Sequence, residues 1–312
     1  MEYRKLIAFG KSSYVISLPK EWIKANNLKK GDTVSINNQT NNLVVSVHEQ
    51  EPLIKQLLIL TDGKSLSRIE TELVSAYINN YNRIMLSGDN LKTGARKIKD
   101  ILHNLPGLEV IEETKNKIVL KEILDEKEVS VKAIIRKIDN ITRAMLEDTL
   151  LCLKEDHYES IYQRDYEVNR GLYLVNRVGR NIIEKSQLNS HDLTPIDVLV
   201  YLDIATNIEK VGDHAKRIAR ALRQTELTKN QKNQFEDCFK KSKDLYLDSM
   251  KCFYKKNIEL AHEVVERYDN LIELCFKILK VEENIKMYKL IDYVKHVIVA
   301  SRNIGRAVLR NS

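Results

Sequence analysis

The stretch TPIDVLVYLDIATNIEKVGDHAKRIARALR, residues 194–223, decides how the second half of this 312-residue chain is read. Thr194-Pro195-Ile196-Asp197 is a helix start: a capping hydroxyl, a proline whose missing N–H costs nothing at the first helical position, and an early acid at the positive helix end. At 100° per residue, Ile204, Ile208, Val211, Ala215, Ile218 and Leu222 fall in one stripe, the face expected to be buried. Glu209 and Asp213 fall nearly opposite it and are expected on the bundle surface, with Leu199 and Leu202 on the same outer side awaiting a cover. Like charges four residues apart on an exposed helix repel by a few tenths of a kcal/mol. The pair therefore asks for a counter-charge, either Lys216 and Arg217 or a cation held between the carboxylates.

Outward from this helix, every long segment from about residue 128 onward repeats with a 3.6-residue period. Six helices are expected, at roughly 128–156, 157–186, 194–224, 229–257, 258–281 and 286–310. The region also repeats internally. IARALR at 218–223 recurs as IGRAVLR at 304–310, and a shift of 101 residues lays LEDTLLCLKEDHYESIYQRDYEVN over LDSMKCFYKKNIELAHEVVERYDN. On that register Asp165 meets Glu266 and Asn169 meets Asn270. Two three-helix units, 128–224 and 229–312, are expected, each with its own core. In the second helix Val168, Leu172, Val175, Gly179 and Ile182 form the core stripe, with Asp165 and Asn169 on its edge. Asp165, Asn169, Glu209 and Asp213 thus offer three carboxylates and an amide, oxygen ligands suited to a hard cation or a carboxylate-bound cluster.

Residues 1–50 differ. LIAF, YVISL, DTVSI and LVVSV alternate apolar and polar side chains as short strands do. LPKEWIKANNLKKGD between them holds a short helix begun at Pro19 and a turn at Gly31-Asp32, and Asn41-Asn42 marks another turn. Fifty residues of thin strands expose too much edge to stand alone, so a homodimer with paired or interleaved hairpins is expected. Residues 52–125, after Pro52, order as β-α-β-α-β-β: LLILT, RIMLS, LEVIEE and KIVLKEIL, with helical patterns at 65–80 and 92–104. This is a small α+β sandwich without a nucleotide-binding glycine pattern, read as a spacer. The fold class is α+β and mostly α: a β head, an α+β middle module and a pair of helical triplets.

Composition narrows the function classes. The chain is 30% charged with few Gly and Pro, as in a helix-rich soluble protein. VLVYL at 198–202 is too short to span a bilayer, and MEYRKLIAFGKSSY lacks an apolar signal-peptide core, so a cytoplasmic location without membrane insertion is expected. Cys152, Cys238, Cys252 and Cys275 form no CxxC pair, which fits reduced thiols. ELAH at 259–262 is one E-x-x-H where a ferritin-like di-iron site needs two, so that enzyme class is rejected. No Walker motif, nucleophile elbow or Ser/His/Asp spacing is present, and no enzyme activity is expected. His214 is read as a surface hydrogen-bonding residue. The net charge of +7 and the crowding of Arg4, Lys5, Lys11, Lys20 and Lys24 near the N-terminus fit a phosphate-contacting face.

NIEKVGDHAKRIAR at 207–220 resembles the signature of PhoU-type phosphate-uptake regulators, a helix reading E-R/K-I/V-G-D-H-A followed by I-A. DYEVN on the preceding helix resembles that family's D-x-x-x-D/N motif, and a twofold repeat of three helices is its architecture. GKSSYVISLPKEWIKANNLKKGDTVSI is similar to SpoVT/AbrB-type swapped-hairpin domains, which dimerise and often bind DNA. The combination resembles a fusion found in archaeal phosphate regulators. The resemblance implies a regulator of phosphate uptake and homeostasis that docks on a phosphate transporter ATPase or a signalling protein. It also implies a divalent or multinuclear metal (Fe, Zn or Mg) on Asp165, Asn169, Glu209 and Asp213. A second-repeat remnant would be Glu266 and Asn270, but a shift of 86 residues lays Lys295 and Val299, not acids, over Glu209 and Asp213, so at most one metal-competent site per chain is expected. Two other readings stand beside this one: a DNA-binding transcription regulator or nucleoid protein whose bundles only oligomerise, and a metal-buffering protein.

Overall fold

The computed structural model describes residues 2–39, 42–47, 54–125, 128–184, 193–281 and 285–311, and Asn41 and Pro52 lie outside them. The chain divides into two compact units, Met1–Ile54 and Lys55–Ser312.

In the first unit, β1 (Ile7–Phe9) pairs antiparallel with β2 (Ser13–Val15), Ile7 opposite Val15. The turn between them needs the left-handed backbone that Gly10 adopts at φ 71°. α1 (Lys20–Ala25) follows, with Pro19 at the cap, one position earlier than expected. β3 (Val34–Gln39) and β4 (Asn42–Val47) make a second antiparallel hairpin. No described residue of this unit is buried, and Leu6, Phe9, Tyr14 and Ile36 are more than half exposed.

The second unit begins with a four-stranded sheet in the order β5-β6-β8-β7. β5 (Gln56–Leu60) runs parallel to β6 (Arg83–Ser87), joined by α2 (Leu66–Ile78), while β7 (Leu108–Glu113) and β8 (Lys117–Glu122) are antiparallel additions. α3 (Leu91–Leu102) precedes β7. Leu73 and Tyr77 of α2 pack with Ile84, Leu86, Ile98 and Leu120 in one apolar cluster.

Six helices complete the unit: α4 (Val131–Leu151), α5 (Tyr158–Glu184), α6 (Pro195–Arg223), α7 (Lys229–Lys255), α8 (Ile258–Val281) and α9 (Ile285–Leu309). α6 starts as its sequence dictates, with a reciprocal capping box between Thr194 and Asp197 and Pro195 in the first turn. α7 starts in the same way, through Thr228 and Gln231. Close helix approach depends on glycine at two points of α5. A Cβ at Gly171 would sit 2.1 Å from Ile138 Cγ2, and one at Gly179 would sit 3.1 Å from Leu202 Cδ2. Leu202 is thereby covered by α5, whereas Leu199 stays exposed.

Two expectations need correction. The triplets α4–α6 and α7–α9 do not keep separate cores. α6 packs along α9, and one apolar cluster runs from Ile135 through Ile208 to Phe239 and Ile298. The buried face of α6 is also far wider than a stripe, because α4, α5 and α9 all pack on it. Cys238 and Cys275, distant in sequence, bring their Sγ atoms within 3.6 Å in this shared core, where both are free thiols.

Candidate functional site

α6 carries Glu209 and Asp213 one turn apart, and α5 packs beside it with Asp165 and Asn169. Lys216 joins the two helices. Its Nζ donates to Asp165 Oδ2 at 2.6 Å and lies 3.0 Å from Asp213 Oδ1. Arg217 Nε donates to Asp213 Oδ2 at 2.6 Å, and Asn169 Nδ2 donates to Asp165 Oδ2 at 3.2 Å. Lys216 and Arg217 thus neutralise Asp213, and the ammonium lies between Asp213 and Asp165 rather than between Asp213 and Glu209. Burial pushes Asp165 above the ordinary carboxylate range, although Lys216 pulls the other way. Burial also pushes Asp213 up, but Lys216 and Arg217 outweigh it and its carboxyl ends below the usual value. Lys216, despite the burial that opposes its charge, is held above the ordinary lysine value by the two carboxylates.

Glu209 departs from the expected surface position. It is half-buried and has no hydrogen-bond or ion-pair partner among the described residues. Burial, then the neighbouring Asp213 and Asp165, push its carboxyl up to about 7. The cover comes from α5, on which α2 of the middle module also packs. Glu70 of α2, Glu209 and Asp165 all act on the half-buried Tyr173 hydroxyl, which burial and these acids hold above its usual value. The module read as a spacer therefore contributes to the electrostatics of this site, and Glu70 and Tyr173 carry no motif that would have announced them.

A raised carboxyl has a definite pH signature. Between the unfolded value near 4.5 and the folded value of about 7, the native state keeps a proton that the unfolded chain has released. Stability therefore falls as pH rises through that window and levels off above it. Glu209→Gln is expected to be more stable than the native chain at pH 8 by about 1–2 kcal/mol, after discounting for partial exposure, and equal to it near pH 4.5. Urea unfolding at both pH values checks this, and an equal difference at the two would show that the glutamate is not held protonated.

Toward the C-terminal end of α6, Lys216, Arg217, Arg220 and Lys289 surround a polar cavity of about 260 Å³ with Asp213 and Tyr293. On the neighbouring face His214 is half-buried, with Nδ1 2.7 Å from the Lys210 carbonyl oxygen and its ring 4.6 Å from that of His296. Burial depresses its pKa.

The second repeat does not reproduce the arrangement. Glu266 and Asn270 are exposed on α8, whereas Asp165 is buried. Lys295 pairs with Asp292 at 3.4 Å and lies over the Phe276 ring. In the head, Arg4 pairs with Glu2, and Lys5, Lys11, Lys20 and Lys24 are exposed without a salt bridge among the described residues.

As arranged, these side chains do not fit a metal. Among the described residues no three His, Cys, Asp or Glu side chains converge closely enough to hold an ion, and Lys216 fills the space between Asp165 and Asp213.

Residues 135–222, which contain both acid-bearing helices, match the family described as PhoU domain. This segment is a PhoU domain. Residues 7–52 match the family described as antidote-toxin recognition MazE, bacterial antitoxin, so the head is MazE/AbrB-like. Among solved structures, the phosphate transport system regulatory protein PhoU from Streptococcus pneumoniae is similar over 57% of this chain and 91% of its own, at 16% identity and a TM-score of 0.47. No curated protein matches the chain. The matched residues run from α4 to the end of α6. No helix among the described residues is long and apolar enough to cross a membrane.

Proposed function

We propose that the chain is a cytoplasmic, non-enzymatic regulator of phosphate uptake and homeostasis, in which the PhoU domain docks on a transporter ATPase or signalling protein and a dimeric head binds DNA. The observation behind the first half is the PhoU domain itself, centred on the helix that carries Glu209, Asp213 and Lys216. The head supports the second half. A unit with no buried side chain and exposed Leu6, Phe9, Tyr14 and Ile36 gains its interior by pairing with a second copy. Four lysines without salt-bridge partners then double into eight on one dimer, a charge pattern for a phosphate backbone. Metal is left out of this reading because the Lys216 ammonium lies between Asp165 and Asp213.

DNA affinity of the full chain is expected to fall steeply with salt, and the double variant Lys5→Glu, Lys11→Glu to lose about tenfold or more with a shallower salt slope. Salt-independent binding, or binding unchanged in that variant, would remove DNA from the reading. In cells, Asp213→Ala with Lys216→Ala is expected to uncouple phosphate-responsive transcripts from external phosphate while DNA binding persists. A normal phosphate response in that strain would favour the second reading, a DNA-binding regulator or nucleoid protein whose bundle only oligomerises.

A further inference from the structure

At the end of the helical unit away from the 260 Å³ cavity, the first turns of α4, α6 and α8 meet the last turns of α7 and α9 around a larger cavity of about 820 Å³. Its size falls in the range of sites that enclose small organic molecules, roughly 300–1,000 Å³. Its lining is two-sided. One wall is apolar: Tyr201 and Phe253 meet edge to face at 5.9 Å, with Val200, Ile258 and Val308 around them. The rim is cationic. Lys132, Arg136 and Lys256 all line the cavity, and none of the three is in a salt bridge among the described residues.

The single carboxylate on the described lining, Asp197, is already engaged. Its Oδ2 accepts from the Thr194 backbone N–H and hydroxyl, and Asn311 Nδ2 lies 3.4 Å from its Oδ1. Lys256 is near enough to act on it electrostatically, while Lys132 and Arg136 are left without an acid partner among the described residues. The Arg136 guanidinium carbon lies over the Tyr254 ring, 5.3 Å from its centre, and that ring is fixed in turn by its hydroxyl's hydrogen bond to the buried Asp139. A guanidinium immobilised over an aromatic face offers charge and a planar stacking surface together.

From this combination of aromatic and apolar lining, cationic side chains and a volume of about 820 Å³, we infer that the cavity is a binding site for a small organic anion with a planar ring, of the nucleoside phosphate class. The phosphate would meet Lys132, Arg136 and Lys256, and the ring would lie against Tyr201 and Phe253. The assignment does not depend on the DNA or transporter reading.

Isothermal titration of the full chain with AMP, ATP, adenosine and orthophosphate tests it. Both nucleotides are expected to bind one per chain, and adenosine and orthophosphate each at least about tenfold more weakly, since each lacks half of the contacts. Arg136→Glu and Lys256→Glu, both at exposed positions, are each expected to weaken nucleotide binding about tenfold or more with unchanged circular dichroism. Hydrogen exchange of the native chain should slow at residues 197–201 and 253–258 on adding ATP. No binding of either nucleotide, adenosine or orthophosphate binding as tightly as AMP, unchanged affinity in both variants, or protection confined to other helices would each overturn the assignment.

Discussion

Asp139→Ala is expected to destabilise the second unit by about 3–5 kcal/mol, the largest effect of any single substitution considered for this chain. Asp139 lies on α4 and is 1% exposed. It accepts hydrogen bonds from Arg143 Nε at 2.9 Å, Tyr246 Oη at 2.8 Å and Tyr254 Oη at 2.9 Å. Tyr246 and Tyr254 belong to α7, so one carboxylate ties the PhoU domain to the second triplet. Removing it strands a buried hydroxyl on fully buried Tyr246 and takes away the acid partner of Arg143, and an orphaned buried donor costs more than a satisfied one contributes. Asp139→Asn, which keeps the volume and one acceptor oxygen, should recover part of the loss. Urea unfolding followed by circular dichroism measures both, and a loss below about 1 kcal/mol for the alanine variant would show that the network is dispensable. The same substitution releases Tyr254, and with it the platform under Arg136.

Arg177→Met is expected to be of similar size, about 3–5 kcal/mol, but to act locally. The Arg177 guanidinium is fully buried where α5 meets the middle module. Its Nε donates to Glu122 Oε1 at 2.8 Å, its Nη1 donates to the Tyr77 carbonyl at 2.6 Å, and its carbon lies 4.9 Å from the Tyr77 ring centre. Methionine would fill much of the volume yet leave Glu122 buried without its counter-charge. Arg180 to Asn79 and Lys55 to Glu184 are the exposed contacts that would remain across this junction. Hydrogen exchange should therefore quicken throughout residues 55–125 while α7–α9 keep their protection. Uniform loosening of both regions would mean that Arg177 supports the whole unit rather than the junction.

These two residues show where sequence reading stops. Helix positions were legible because their signals are local. Thr194 and Pro195 announce α6, and RIMLS and LEVIEE coincide with β6 and β7. The acid pair on α6, and its nearness to Asp165, could also be read from helical spacing and the DYEVN repeat. The burial of those acids could not, because it depends on how closely α5 packs along α6. Helical periodicity places charges outside by default, so Asp139 and Arg177 were invisible: Asp139 meets Tyr246 and Tyr254 of α7, and Arg177 meets Glu122 of β8 and the Tyr77 carbonyl of α2. Lys216 was named as one of two candidate counter-charges, and spacing alone does not choose between a side chain one turn away and an ion. The repeat also concealed a difference. Asp165 and Glu266 share a register, yet the first is buried and the second exposed, because α5 is flanked by both α6 and α2, whereas α8 packs on α7 and α9.

The absence of a buried side chain among the described residues of the first unit has a consequence for how much protein is needed. If the head pairs with a second copy as proposed, its ordering equilibrium would follow mass action, so its melting midpoint would climb with protomer concentration while that of the helical unit stays fixed. Copy number in the cell would then be a control variable in its own right: scarce chains would carry a competent helical body with an unstructured head, and abundance alone would switch the head on.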